Sequence, residues 1–550
     1  MFEDIELDAI HEENARELVK RLLNIIEQMS AHVCDLQVEN QRLRDEVNRM
    51  KGEQGKPNIK GNQASRTPKE GHSSEQERHQ GRQRHKKSKK ADVPMDREEV
   101  LKVDWGGLPA DAEYKGYEAV VIQDVRIQSD NVRFYKEKYY SASKRQSYLA
   151  ELPPGYEGQF GPGIKSLILS LYFGMGTSEP KIKEFLGNFG VQISNGEVSN
   201  LLIKEQHRFH AESEAVYEAG LRSSPWQQTD HTETRVDGQN QHCQVVCNPV
   251  YTSYHTRPNK DRLSVLDVLR QGRKRIFRLN AEALRLLEHV PLSKASQQIL
   301  PKWRSEKVLD EASFVKRLDQ ALPNLNIQQR TAILGAAAVA AYHAEKGVAI
   351  VDTLVCDDAA EFNWVTRAMM LCWVHDGRFY KKLEPVVALH REQLKNFRKR
   401  YWDYYRQLLA YCEQPTAQEH TRLEEQFDVL FTTQTGYPDL DQRIAKTRAK
   451  KSSLLLVLQH PELPLHNNAS ELAVRQRVRK RDVSFGPRTP LGTQAWDSFM
   501  TLADTARKLE ISFYAYIHDR ISGINQIPPM ATLVAQRARE LNLGGSWVAA

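Results

Sequence analysis

The sequence predicts a multidomain α+β protein, and three observations carry that expectation. The chain has 550 residues, more than a single hydrophobic core organises. Its start carries a heptad repeat, and a long polar stretch follows with almost no apolar side chain. Beyond that stretch, short β-like runs are interspersed with longer helical patterns.

The heptad register over residues 12 to 50 has Val19, Ile26, Val33, Asn40 and Val47 at a, and Ala15, Leu22, Met29, Leu36, Leu43 and Met50 at d. β-Branched residues at a with leucine-like residues at d favour a parallel two-stranded coil, and one Asn at a fixes its register. Residues 1–50 are therefore expected to be a coiled-coil dimerisation helix, since no domain follows directly for it to pack on. Residues 51–96 lack the apolar surface needed to offset the entropy of ordering and read as a disordered linker. It is basic at its far end, with Arg82, Arg84, Lys86, Lys87, Lys89 and Lys90, a run that suits either a solvated tail or non-specific DNA contact.

Residues 97–160 are expected to form a small β module, with strands at Ala119 to Ile122 and Val132 to Tyr135 around the turn-prone Ser129-Asp130-Asn131. A helical block spans 161–220, opened by Gly161-Pro162-Gly163, with helices near 163–173 and 179–189. Ser194-Asn195-Gly196-Glu197 matches a capping box and starts a third helix. The three leave room for a helix-turn-helix, although a packed helical hairpin is the simpler reading because no base-reading residue accompanies them.

Residues 221–380 read as the first part of an α/β core. Three antiparallel strands follow Trp226, with Asp230 on the first and Asp237-Gly238 as the turn. An insertion at about 270–340 opens on Arg270, Arg273, Lys274 and Arg275. Gly347 to Cys356 is strand-like and stops at Asp357-Asp358, Glu361 to Met370 is helix-like, and Cys372 to Phe379 follows with His375 and Arg378 one turn apart. Residues 381–460 are expected to be a helical insertion, and 461–550 complete the core with a helix carrying Glu471 and closing helices.

The bulk numbers restrict function. Lysine and arginine total 78 against 71 acids, a net +7 too small to matter except where it clusters. The six cysteines are scattered without a disulfide or zinc ladder, which suits a reducing compartment. Cys243 and Cys247 share one strand face, are too far apart to share a metal easily, and read as core thiols. No apolar run approaches the roughly 20 residues of a membrane helix, so a cytosolic protein is expected.

An acid on a first strand, an acid ending a later strand and an acid on a helix form the layout of a ribonuclease-H-like nucleotidyltransferase core. In-line displacement at a phosphodiester uses two metal ions about 3.5 to 4 Å apart, one at the attacking and one at the leaving oxygen. Hard divalent ions take oxygen ligands and keep room for substrate. Asn467, Glu471 and Arg475 recur at four-residue spacing, so an amide, an acid and a guanidinium share one helix side, followed by Arg477, Arg479, Lys480 and Arg481 as a phosphate-attracting stretch. Asp358 competes with Asp357, and only one of two successive strand residues can join Asp230. Glu233 and Asp237 compete less well with Asp230, being nearer the turn and inside it.

Asp357 with Phe362 five residues on, Cys372-Trp373-Val374-His375-Asp376-Gly377-Arg378-Phe379, and Asn467-Asn468-Ala469-Ser470-Glu471-Leu472-Ala473-Val474-Arg475 together resemble the transposases of the insertion-sequence 66 family. The resemblance covers most of the chain. It implies a DDE-type DNA transposase that cleaves phosphodiesters at element ends and transfers strands into target DNA. Asp230, Asp357 and Glu471 would be the metal ligands, the spacing to Phe362 selecting Asp357, and two Mg²⁺ ions the cofactors, with Mn²⁺ able to substitute. His375, Arg378 and Asn467 would give catalytic support, the first two by reaching phosphate or orienting ligands; the alternative for these two is a structural helix-terminal pair that stabilises Asp357. Arg475 and Arg481 would contact phosphate, with Lys480 a solvated neighbour. The implied partners are DNA, a second copy through the coiled coil, and accessory proteins of the same element, in a bacterial cytoplasm and at the nucleoid when DNA-bound. Two rivals remain: a catalytically inactive transposase-derived DNA-binding repressor or scaffold, and a nuclease on the same core.

Overall fold

A computed structural model describes residues 10–50, 95–104, 107–109, 111–288 and 290–548, so the linker's basic run from Arg82 to Lys90 lies outside the described residues. Helix α1 (Glu13–Met50) forms over the heptad segment. Its residues Leu22, Met29, Val33, Leu36, Leu43 and Val47 face solvent, while Leu23 and Glu27 on another side are buried. The Glu27 carboxylate accepts hydrogen bonds from the N–H groups of Val386 and Val387 at 2.6 and 3.0 Å and meets His390 Nδ1 at 3.1 Å. This corrects the expectation that α1 has nothing to pack on. An acid satisfies the free N–H groups at the start of a helix far along the chain.

The β module is a single hairpin, β1 (Lys138–Ser141) with β2 (Gln146–Leu149). The runs at 119–122 and 132–135 are not strands. Val120 and Ile122 are exposed, and β-branched residues hold a strand only where a neighbour pairs with and covers them. Helix α2 (Pro162–Leu169) runs into a π-turn at Ser170–Gly174, followed by α3 (Glu179–Gly187), α4 (Asn195–Ile203) and α5 (His207–Arg222). Ser194 Oγ caps α4 by accepting from Glu197 N at 3.1 Å.

The central sheet has five strands in the spatial order Tyr251–Arg257, Gln239–Asn248, Trp226–Val236, Thr353–Cys356, Ala368–Leu371. Strands β3 (Trp226–Val236), β4 (Gln239–Asn248) and β5 (Tyr251–Arg257) form an antiparallel meander. Its first turn has Asp237 and Gly238 at φ 50° and 75°, the paired positive values a two-residue hairpin needs. Helix α5 lies against β5 through Gly220, where a Cβ would stand 2.5 Å from the Tyr251 ring. Gly220→Ala is therefore expected to destabilise the fold by about 1–3 kcal/mol, read by denaturant unfolding. An unchanged midpoint would show that the helix simply shifts.

The insertion carries α6 (Arg262–Leu269), β6 (Ile276–Phe277), α7 (Ala281–Leu287), α8 (Lys294–Ile299), β7 (Leu309–Asp310), α9 (Glu311–Ala321) and α10 (Ile327–His343). Its opening arginines are tied within the chain. Arg270 pairs with Glu345 at 2.7 Å, Arg275 with Asp267 at 2.8 Å, and Arg273 donates to Gly347 O at 3.3 Å.

Strand β8 (Thr353–Cys356) runs parallel to β3, and β9 (Ala368–Leu371) runs parallel to β8. The strand-like run from Gly347 is thus shorter than expected, and the helix expected over Glu361 to Met370 is a turn leading into β9. Helix α11 (Trp373–Lys381) follows, then α12 (Ala388–Glu413), α13 (Ala417–Phe431) and α14 (Pro438–Arg448). Helices α15 (Asn468–Ser484), α16 (Pro490–Lys508), α17 (Phe513–Ile521) and α18 (Met530–Glu540) close the chain.

Two apolar clusters lie on the sheet's two sides. Leu354 and Cys356 belong to one, with β4, β5, α5, α10 and α16. Trp226 and Val355 belong to the other, with Trp373 and the aromatic faces of α12 and α13. No helix among the described residues is long and apolar enough to cross a membrane.

Candidate active site

Alternation along the strands decides where the acids point. Gln228 on β3 lies opposite Val355 on β8. By the alternation of the two strands Asp230 and Asp357, the latter one residue past the strand end, fall to the same side of the sheet, and the Asp357 charge is felt at the Asp230 carboxyl. Both share the face of Trp226 and Val355, which looks toward the helical side. Asp358 falls to the other parity and is taken by Lys450 in an ion pair.

Helix α15 is fastened over the same face by its first residues. Asn467 is fully buried, and its Nδ2 donates to Thr229 O at 2.8 Å, next to Asp230. Ala469 N donates to Gln228 Oε1 at 3.3 Å. The first turn of α15, with Glu471, is therefore held against β3 by an amide on each side. Asn467 sets the helix start rather than touching the acid's carboxylate. Sequence reasoning missed Gln228, although its position two before Asp230 already put it on the acid's face.

Among the described residues Asp230 forms no ion pair, and its Oδ1 accepts only from the N–H of its neighbour His231, at 2.7 Å. Burial raises the Asp230 carboxyl to about 7, partly opposed by that N–H and reinforced by the charges of Asp357 and Glu471. Asp357 Oδ1 accepts from Ala359 N at 3.2 Å, the start of a turn anchored by buried Phe362. His231 pairs with Glu361 at 3.1 Å across this turn, two residues the sequence did not single out. Burial lowers the His231 imidazole, and Glu361 partly opposes this.

His375 and Arg378 meet Glu471 rather than Asp357, the partner that the purely structural alternative gave them. Arg378 Nη2 is 3.2 Å from Glu471 Oε2, His375 Nδ1 is 3.4 Å from Oε1, and Arg378 Nη1 donates to His375 Nε2 at 3.0 Å. Burial lowers the His375 imidazole, with Glu471 opposing. Among the described residues, the three ligand groups whose atoms lie within 4.8 Å of one another are Cys372, His375 and Glu471, not the three acids.

The basic stretch after Glu471 splits in two. Arg475 and Arg479 are exposed. Arg477 is buried, 3.1 Å from Asp497 and 2.8 Å from Thr256 Oγ1. Lys480, expected to be a solvated neighbour, is also buried, with its ammonium 3.0 Å from the Tyr172 ring centre. Burial lowers it to about 6, against the pull of Glu179. Both face the packed side of a helix whose fourfold spacing repeats Ala473 inward. Arg481 donates to Glu233 O and lies 3.7 Å from Asp482, which ties the helix to the far end of β3 and takes up part of the fork expected to meet phosphate.

Residues 336–495 match the family described as Transposase IS66 family, a span that takes in Asp357, His375, Arg378 and Glu471. A relative from Sinorhizobium fredii (strain NBRC 101917 / NGR234), the uncharacterized protein y4jO, is 32% identical over 324 residues, which is 58% of this chain and 99% of that protein.

Proposed function

The chain belongs to the transposase IS66 family, and from its site we propose that it cleaves phosphodiesters at the ends of a mobile element and joins the freed ends to target DNA. Transposition-related function, a DDE-type enzyme class, DNA as partner and use of divalent metal come with the family. The assignment of this chain's residues rests on one observation above others. Asp230 on β3 and Asp357 just past β8 fall by strand parity to the face where α15 presents Glu471, and burial, reinforced by the charges of Asp357 and Glu471, raises Asp230 to about 7.

That set fits a cation. Three carboxylates share one region, and Glu471 Oε1 is a buried oxygen with no hydrogen-bond partner. Oxygen ligands of this kind suit Mg²⁺, with Mn²⁺ as substitute. Bound ions would supply activation of the attacking oxygen and neutralisation of the leaving one. The protein's own part is positional. Gln228 and Asn467 fix the Glu471 helix, Arg378 offers a half-exposed guanidinium beside it, and Asn467 keeps the acid aligned with β3. A meander of three antiparallel strands with two parallel strands added at its first supports a ribonuclease-H-like core. The exposed heptad stripe of α1 supports a dimer, and the block from α2 to α4 is assigned to end binding.

Arg475 is exposed one turn beyond Glu471 and is assigned to phosphate. Arg475→Ala is expected to weaken DNA binding evenly across sequences and to reduce the salt dependence by about one counterion. An unchanged slope in a salt titration would remove it from the interface.

The assignment is tested with the full chain, a duplex carrying an element end, and target DNA. Cutting to a 3′-hydroxyl and joining, both in Mg²⁺ and neither in chelator, is the expected result. Binding without cutting would favour the repressor or scaffold, and cutting without joining the nuclease.

A further inference from the structure

Three donors of different chemistry converge beside the acidic pair. Cys372 follows β9 and starts α11, His375 lies one turn on, and Glu471 comes from the first turn of α15. Their ligand atoms lie within 4.8 Å of one another. His375 Nδ1 and Glu471 Oε1 are buried, stand 3.4 Å apart, and neither makes a hydrogen bond. Cys372 and His375 also line a cleft of about 190 Å³, shared with Asp357, Asp358, Phe379 and Lys450. A thiolate, an imidazole and a carboxylate are the donors that borderline divalent ions take, and three protein ligands with one open position is a recurrent zinc arrangement. Asp230 and Asp357 offer oxygen alone, which suits a harder ion.

We propose that Cys372, His375 and Glu471 form a second cation site, selective for zinc-class ions, that shares Glu471 with the acidic triad. A dication there meets one thiolate, one carboxylate and a neutral ring, so the charges cancel. The Cys372 thiol gives its proton to solvent on binding. Arg378 only donates, so its bond to Nε2 places the ring proton on Nδ1. Coordination through Nδ1 moves that proton to Nε2 and releases Arg378. Occupancy also withdraws Glu471 from Asp230 and Asp357 and so opposes Mg²⁺ chemistry. That last consequence rests on the triad assignment above, whereas binding does not.

Co²⁺ is the probe, added to the metal-free full chain. The expected result is a thiolate-to-cobalt charge-transfer absorption that saturates at one ion per chain, is displaced by Zn²⁺, and survives excess Mg²⁺. Cys372→Ser should abolish the absorption, and His375→Gln should weaken Co²⁺ affinity on the order of 10-fold or more, the least that even outer-shell changes cost. The Asp230→Asn, Asp357→Asn double variant should retain it, which keeps failure of the triad assignment apart from failure of this site. No absorption in the parent protein overturns the site. So does absorption that persists in Cys372→Ser, which would belong to another cysteine such as the exposed Cys34. If Cys372→Ser does not fold by circular dichroism, His375→Gln and Glu471→Gln decide, and unchanged Co²⁺ affinity in both overturns it.

Discussion

Asp230→Asn, Asp357→Asn and Glu471→Gln are each expected to lower strand transfer by more than ~100-fold while leaving binding to element ends near that of the parent. Outer-shell partners of a metal already account for about 10- to 100-fold, so a direct ligand must exceed that. The substitutions keep size and remove charge, and none of the three carboxylates bridges to a core residue whose loss would unfold the protein. Asp230 accepts only from its neighbour's N–H, Asp357 from Ala359 N, and Glu471 pairs with Arg378 and His375. Asp358→Asn is the control, because its partner is Lys450 and not the acid pair. Joining assays and gel-shift titrations on the same preparations separate chemistry from binding. Retained joining in any one variant would take that residue out of the site.

The second large effect is on stability and pH in chelator. The folded-state Asp230 carboxyl lies at about 7, raised from its ordinary value of 3.8. A raised carboxyl favours the protonated folded form, so its contribution is fully present below about 4 and is lost as pH rises through 7. Asp230→Asn removes that loss. The variant should be more stable than the parent at pH 8 by about 2 kcal/mol or more, a rise in melting temperature on the order of 5 °C, and equal to it at pH 4. Mg²⁺ should narrow the gap at pH 8 by stabilising the parent alone. Equal melting temperatures at both pH values would mean that Asp230 is solvated rather than held against two other acids.

A variant both inactive and more stable is what a site under electrostatic strain predicts, since function is there maintained against stability. The same tension explains which parts of the molecule were legible beforehand. The meander around Asp237-Gly238 and the Ser194 cap follow local rules of turn and cap chemistry, whereas Asn467 at the start of the Glu471 helix makes no side-chain cap and spends its amide on Thr229 O of β3. Strand parity says only that one of Asp357 and Asp358 can join Asp230; which of them does so depends on the register against β3, which the sequence does not carry.

The errors have a common physical source, which is partnership across distance. Ala368 to Leu371 is too short and too uniformly apolar for periodicity to tell strand from helix, and only pairing with β8 decides. Arg477 and Lys480 count as charge in the sequence, yet their partners, Asp497 and the Tyr172 ring, are supplied by other elements. Glu27 finds its partners more than three hundred residues away. Cys372 sits inside a recognised motif, but its nearness to Glu471 appears only when β9 and α15 are placed together.

The central claim is that Asp230 and Asp357 act as one cation-binding unit. Titration of the metal-free full chain with Mn²⁺, following the free ion by electron paramagnetic resonance, tests it without DNA and without turnover. Tight Mn²⁺ binding by the parent, lost in both Asp230→Asn and Asp357→Asn but kept in Asp358→Asn, is the predicted result. Parent-like Mn²⁺ binding in the Asp230 and Asp357 variants would contradict it.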